Sequence, residues 1–134
     1  MSRVLALDYG SARCGCALSD PTGTLATPIE PVERPSTRRG MGRLLGLVRE
    51  YAVSRVVVGL PLGLSGRDTD QTREARAFAA ALAERLGDRV PVELYDERFT
   101  TRIAQQSGGA ATSEDSRAAA VLLEDWLAAH PGGE

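Results

Sequence analysis

The sequence predicts a single α/β domain built on a mixed five-stranded sheet, three antiparallel strands and then two parallel ones, flanked by helices. Three observations lead to this fold class: short apolar runs that end at turn residues, longer segments with apolar residues at helical spacing, and the order in which the two alternate. A chain of 134 residues with 43% hydrophobic residues can fill one core. We expect one domain over residues 1–130 and a frayed tail over 131–134.

Five segments have the composition of strands. They cover residues 4–7, 13–18, 26–33, 55–59 and 90–96. The first ends at Asp8 before a turn, and the second returns as its antiparallel hairpin partner. Pro28 and Pro31 confine the third to a sheet edge, because proline has no N–H for a sheet hydrogen bond. The last two follow helices, so we expect them to run parallel to the first.

Helical spacing and capping residues predict the helices. The helices are predicted to begin after Ser36 or Thr37, at Asp70, after Thr100 or Thr101, and after Thr112 or Ser113. The first should end near Ala52, and Gly87 should close the second. The third is short, because Gly108 and Gly109 interrupt it.

The composition argues against a membrane protein and against a zinc site. No stretch approaches the roughly 20 apolar residues that cross a bilayer, and the start lacks a signal-peptide pattern, so we expect a cytoplasmic protein. Cys14 and Cys16 lie two apart on a strand and are predicted to be buried thiols that do not bridge. With His130 they are too few for zinc.

The net charge of −2 gives no support by itself to nucleic-acid binding. All sixteen basic residues are arginine, which binds phosphate through two parallel hydrogen bonds. A coding bias of the source organism also explains the absence of lysine.

Three sequence positions could bring carboxylates together. Asp8 ends the first strand before Gly10, Asp96 and Glu97 end the last strand, and Asp115 lies in the first turn of the terminal helix. Taken singly, they could be a turn cap, a solvated strand end and a complement to the helix dipole. Together they could meet, because parallel strands deliver their carboxyl ends to one edge of the sheet.

Clustered carboxylates stay ionised at neutral pH when cations lie among them. Mg²⁺ and Mn²⁺ prefer such hard oxygen ligands. Two ions about 4 Å apart would activate a water and stabilise the leaving 3′ oxygen of a phosphodiester. The carboxylates therefore indicate a two-metal nuclease.

Four segments carry a family pattern. They are LALDYGSARCGCALSD, VVVGLPLGLSGRDTDQT, YDERFTTRIA and EDSRAAAVLLEDWL. In these segments, and over nearly its whole length, the chain resembles the YqgF (RuvX) family of ribonuclease H-like nucleases, which is related to RuvC Holliday-junction resolvases. The resemblance implies a ribonuclease H-like fold.

The resemblance also implies the roles of individual residues. Asp8 is implied as the first metal ligand, an acid of the Asp96–Glu97 pair as the second, and Asp115 as the third. We choose Glu97, because strand alternation puts Asp96 on the face of Val92 and Leu94. The implied substrate contacts are Gly10, Arg13 and Arg98. Gly59, Leu60 and Pro61 are implied to form the floor of the cleft.

The chain departs from the family pattern in two places. In ribonuclease H-like enzymes the second acid often lies on the strand beside the first, but here that strand ends without an acid, so the site must use the next strand over. The loop before Asp115 is lysine-rich in relatives and has no positive charge here. Arg38, Arg39 and Arg43 are candidates to compensate, unless they form only a solvated helix face.

The resemblance suggests two nucleic-acid substrates. One is the precursor of 16S ribosomal RNA, with the ribosome as a further partner, and the other is branched DNA such as a Holliday junction. Symmetric resolution of a junction needs a homodimer, whereas RNA processing is open to a monomer. Two other classes compete: an actin-like or Hsp70-like nucleotide-binding protein, which would need a second lobe, and a non-catalytic nucleic-acid-binding module.

Overall fold

The structure is a computed structural model that describes residues 3–62, 65–96 and 114–130. The strands in this part are β1 (Arg3–Asp8), β2 (Arg13–Ser19), β3 (Ala26–Glu33), β4 (Val53–Leu60) and β5 (Val92–Asp96). The helices are α1 (Arg38–Glu50), α2 (Asp70–Leu86) and α3 (Glu114–Ala129), with a 3₁₀ turn at Gly87–Arg89. The short helix expected after Thr100 or Thr101, the caps Thr112 and Ser113, and the tail 131–134 lie outside the described residues.

The five strands form one sheet in the order β3-β2-β1-β4-β5. β1 pairs antiparallel with β2, and β2 pairs antiparallel with β3. On its other side β1 pairs parallel with β4, which pairs parallel with β5. The predicted mixed sheet is therefore confirmed, and the proline-containing β3 lies at an edge as predicted.

Both faces of the sheet are covered, which explains the apolar runs in β1 and β4. One face packs against α1 and α2, through side chains that include Leu5, Leu44, Val58, Phe78 and Leu82. The other packs against α3, through side chains that include Val4, Val57, Leu122, Leu123 and Trp126. The cysteines are free and buried, as predicted.

The helix starts follow the capping chemistry of the sequence. Thr37 caps α1 by accepting a hydrogen bond from the backbone N–H of Gly40, at 3.1 Å. Thr69 and Thr72 form a reciprocal capping box at the start of α2. The hydroxyl of Thr72 also donates to the carbonyl of Pro61 at 2.6 Å, and this bond ties the start of α2 to the end of β4.

The first turn of α3 lies directly on β2. A Cβ built at Gly15 would lie 1.9 Å from the carbonyl oxygen of Asp115, so only glycine permits this approach. Beside it the buried hydroxyl of Ser116 accepts a hydrogen bond from the backbone N–H of Cys16, at 3.2 Å. These contacts fix the helix start against β2, beside the end of β1.

Among the described residues, none of the helices is both long and apolar enough to cross a membrane.

We predict that Gly15→Ala destabilises the protein by about 1–3 kcal/mol, because the new methyl group must push the α3 backbone away from β2. Urea unfolding measures the loss. Gly42→Ala in α1 is the matched control: among the described residues a Cβ there meets no atom within 4 Å. Since alanine is the better helix former, the control should gain up to about 1 kcal/mol. Equal stability of the Gly15 variant and the wild type would contradict the close approach.

We predict that Tyr95 makes the fold less stable in alkali. Burial and the hydrogen bond that its hydroxyl donates to Asp125, at 2.6 Å, raise the pKa of Tyr95 from 10.0 to about 12. A raised pKa contributes stability that is complete below pH 10 and is lost as the pH rises through about 12. The free energy of unfolding should therefore fall less over this range in Tyr95→Phe than in the wild type. An unchanged slope in Tyr95→Phe would be the contrary result.

Candidate active site

One edge of the sheet collects the ends of four strands and the starts of the three described helices. β1, β3, β4 and β5 end there, because β2 is the one strand of the described sheet that runs the other way. The Tyr9 hydroxyl lies 2.9 Å from the Ser36 hydroxyl, just before α1, and brings that helix start to the end of β1. We call this rim the carboxyl edge.

Asp8 and Asp115 both adjoin Gly15 at the carboxyl edge. Asp8 is the direct partner of Gly15 in the β1–β2 pair. Side chains at such positions share a sheet face and have Cβ atoms about 4.5–5.5 Å apart. Asp115 reaches the same glycine through its backbone. The sheet and α3 thus bring together two residues that are far apart in the sequence.

Arg13 adds a positive charge beside these carboxylates. Its Nε lies 3.6 Å from Oδ2 of Asp115, with 57% of the Arg13 side chain and 42% of the Asp115 side chain exposed. An exposed pair of this kind contributes about 0–1 kcal/mol, because water screens it. Arg13 can therefore leave Asp115 for another anion at little cost.

The turn after Asp8 depends on Gly10. A Cβ at Gly10 would lie 2.6 Å from the carbonyl oxygen of Arg13, so a side chain there would force the turn apart. Beside the turn lies a cavity of about 230 Å³. Its lining residues are Asp8, Tyr9, Gly10, Ser11, Pro61, Gln71 and Glu74.

Four lining residues were not among the sequence candidates: Tyr9, Ser11, Gln71 and Glu74. The predicted start of α2 at Asp70, after a strand parallel to β1, was the signal that could have placed Gln71 and Glu74 at this edge. Pro61, which the family resemblance placed in the cleft floor, does line the cavity, whereas Gly59 and Leu60 are buried in β4.

The last strand brings Asp96 to the same edge, opposite Leu60 of β4. The preceding odd-numbered residues face α3: Tyr95 bonds to Asp125, and Glu93 accepts a hydrogen bond from the Trp126 indole at 3.1 Å. Val92 packs on the opposite face. Glu97 and Arg98 lie outside the described residues.

The surroundings of Cys14 favour its neutral thiol. The hydrogen bond with Cys16 and burial raise the pKa of Cys14 above its usual range, and the negative charges of Asp8 and Asp115 raise it further. Since the thiolate is the form that binds metals, Cys14 offers no soft ligand here. The charges of both aspartates act on one thiol, in keeping with their shared position beside Gly15.

The donor set at the carboxyl edge consists of oxygen atoms. Among residues 3–62, 65–96 and 114–130, no three side chains of His, Cys, Asp or Glu come together as a metal site. Asp8 and Asp115 alone provide two carboxylates, and Mg²⁺ is commonly held by one or two carboxylates with water and substrate phosphate. The described residues therefore fit a hard divalent cation.

Comparison with known proteins gives relatives along nearly the whole chain. The RuvX family model, described as a Holliday junction resolvase, matches residues 2–129. Three relatives carry the name "Putative pre-16S rRNA nuclease". They are from Thermobifida fusca (45% identical, 92% of this chain and 85% of that protein), Mycobacterium leprae (44%, 93% and 72%) and Maridesulfovibrio salexigens (37%, 94% and 98%).

The fold is that of RuvC. Thermus thermophilus RuvC, solved in complex with a Holliday junction substrate, matches with a TM-score of 0.63 over 99% of this chain and 98% of that chain, at 16% identity. A second structure of Thermus thermophilus RuvC matches with a TM-score of 0.61. The predicted ribonuclease H-like fold is therefore confirmed. The family model and the relatives show that this chain belongs to the RuvX (YqgF) family of ribonuclease H-like nucleases.

Proposed function

We propose that this protein is a divalent-metal-dependent nuclease that hydrolyses phosphodiester bonds in the precursor of 16S ribosomal RNA. The observation that carries this proposal is that Asp8 and Asp115 both adjoin Gly15, beside an arginine and an open cavity. The substrate follows from the names of the relatives. Such a substrate would bring the protein to ribosome precursors in the cytoplasm.

Asp8, Glu97 and Asp115 are the proposed ligands for two Mg²⁺ or Mn²⁺ ions. When bound, these ions would supply an activated water and stabilise the leaving 3′ oxygen. The carboxylates would hold and orient the ions. Arg13 would release Asp115 and bind a non-bridging phosphate oxygen, which its guanidinium binds well. Gly10 leaves room for the phosphate to approach the backbone. Arg98 is proposed as a second phosphate contact.

Strand alternation supports Glu97 over Asp96 as the second ligand. Glu93 and Tyr95 contact α3, which carries Asp115. Successive side chains on a strand alternate between faces, so an extended backbone would give residue 97 the face of Tyr95 and residue 96 the opposite one. Asp96 is the substitute if the strand ends before Glu97.

Resolution of Holliday junctions is the second candidate function. The family model carries that description. A symmetric junction needs two active sites related by two-fold symmetry, so this function requires a homodimer. Analytical ultracentrifugation distinguishes junction resolution from RNA processing, because a protein that stays monomeric at assay concentrations supports RNA processing.

We predict that Asp8→Asn and Asp115→Asn each lower the cleavage rate at least a hundredfold, because each removes a carboxylate from the proposed metal site. Both should remain folded, since neither aspartate is fully buried and an ion pair as exposed as Arg13–Asp115 contributes about 1 kcal/mol or less. The assay offers single-stranded RNA, single-stranded DNA and four-way junctions with Mg²⁺ or Mn²⁺, and with EDTA as the metal-free control.

Asp88→Asn, on the exposed 3₁₀ turn, is the matched control and should cleave as the wild type does. Cleavage that persists in EDTA, or in the Asp8 variant, would overturn the proposed mechanism. Binding without cleavage of any substrate would favour a non-catalytic binding module instead.

We predict that Glu97→Gln abolishes both cleavage and stabilisation by Mn²⁺, whereas Asp96→Asn keeps both. A ligand that binds only the folded state raises its stability, so the melting temperature in rising Mn²⁺ reports metal binding without substrate. If Asp96→Asn loses the Mn²⁺-dependent rise and Glu97→Gln keeps it, then Asp96 is the ligand.

A further inference from the structure

A continuous groove leads away from Asp8 between α1 and α2. The cavity beside Asp8 shares Tyr9 and Glu74 with a second depression, of about 340 Å³. The second shares Ser36, Met41 and Ala81 with a third, of about 410 Å³, which reaches Arg38 and Arg85. We call these three depressions the α1–α2 groove, and it connects the candidate active site with the start of α1.

The middle of the groove has an aromatic wall, which consists of the partly buried ring of Tyr9 resting on the buried ring of Phe78. The Tyr9 ring stacks on Phe78 with ring centroids 4.6 Å apart and planes 29° apart. The hydrogen bond between the Tyr9 and Ser36 hydroxyls holds this ring in place. Unpaired bases stack on such aromatic surfaces, whereas the bases of a duplex are already stacked inside it.

Positive charge is concentrated in α1 and the residues just before it. The 16 residues from 34 to 49 contain five arginines and no acidic residue, although the whole chain has a net charge of −2. All five are exposed: Arg34, Arg38, Arg39, Arg43 and Arg49. Of these, Arg38 lines the groove, whereas Arg49 lines a separate cavity at the other end of α1. The first turn of α1 contains no acidic residue that would oppose a phosphate. The α2 side of the groove carries two acids, Glu74 and Glu84, and one arginine, Arg85.

This asymmetry would orient a nucleic-acid strand. Phosphates are drawn to arginines and repelled by carboxylates, so the backbone of a strand would follow α1. Its bases would then turn toward the Tyr9–Phe78 wall. Neither the cavity beside Asp8 nor the α1 arginines alone would produce this arrangement.

We propose that the α1–α2 groove binds an unpaired nucleic-acid strand next to the bond that is cut, with Tyr9 stacking on a base and Arg38 and Arg39 contacting phosphates. This inference rests on the proposed nuclease function and narrows its substrate to one with an unpaired segment beside the cleavage site. Arg38, Arg39 and Tyr9 would therefore determine specificity rather than perform the chemistry.

Binding in EDTA tests the groove separately from cleavage. Fluorescence anisotropy measures the affinity of the whole protein for a short labelled single-stranded RNA, a single-stranded DNA and a duplex of the same sequence. The wild type should bind both single strands more tightly than the duplex. The double variant Arg38→Glu, Arg39→Glu should bind at least tenfold more weakly, and its slope of log affinity against log salt should fall by about 1.4, since each phosphate contact on a single strand contributes about 0.7.

The matched control is the double variant Arg49→Glu, Arg89→Glu. These arginines line a cavity of about 350 Å³ at the opposite edge of the sheet, which shares Arg85 with the groove. Neither Arg49 nor Arg89 lines the groove itself, so the control makes the same change of charge at residues outside it. It should bind single strands within about threefold of the wild type. Both new glutamates lie in the first turn of α1, where negative charge stabilises a helix start. The helix start should therefore stay folded, and a loss of binding would report the loss of the arginines.

Tyr9 tests the aromatic wall. Tyr9→Ala should weaken single-strand binding about tenfold, whereas Tyr9→Phe keeps the ring and should bind as the wild type does. Circular dichroism and thermal melting show whether the alanine variant is folded, and Tyr9→Leu replaces it if it is not.

The results separate the groove from the nuclease. Equal loss of affinity in the two arginine double variants, preference of the wild type for duplex, or unchanged binding by a folded Tyr9→Ala or Tyr9→Leu would overturn the groove. If the Arg38, Arg39 double variant cleaves with Mn²⁺ at the wild-type rate, the groove proposal is also wrong, whereas the proposed nuclease function is supported. Groove-dependent binding by a wild type that cleaves nothing would support the groove and reject the nuclease.

Discussion

The structure depends on the contact between the backbone of α3 and Gly15. That contact lets a helix at the end of the chain rest on the first hairpin, so that Asp115 arrives beside the strand partner of Gly15, which is Asp8. The buried Ser116 hydroxyl fixes the helix along the strand. A methyl group between the two backbones would separate the carboxylates as well as weaken the fold, so stability and the proposed chemistry share one constraint.

The topology gives the carboxyl edge its electrostatic character. The parallel strands end there, and the helices that follow them must begin there, so the positive ends of helix dipoles collect around Asp8 and Asp115. The acid-free start of α1 extends this positive field along one side of the α1–α2 groove. An acidic protein can thus offer a local surface suited to phosphate, and its net charge is a poor guide to its ligand.

The sequence predicted the parts of the fold that depend on local chemistry. Buried strands appear as apolar runs, and α2 begins at Asp70 and ends before Gly87 as predicted. The predicted strand over residues 55–59 is shorter than β4, because pairing of Val53 with Arg3 extends the strand beyond its apolar run. The approach of Asp115 to Gly15 and the Tyr9–Phe78 stack could not be predicted, since each depends on how distant elements pack. Alternation at a strand end also left the choice between Asp96 and Glu97 open.

The weak pairing of Arg13 with Asp115 fits the proposed function better than a strong one would. A buried ion pair is costly to break, because each partner is left as an uncompensated charge. This pair is about half exposed and 3.6 Å apart, so water can replace either partner at little cost. The positive charge of Arg13 offsets part of the negative charge that Asp115 and Asp8 bring together. In the proposed function a cation would take over that role and leave the guanidinium available to a phosphate, so one residue would serve the fold and the substrate in turn.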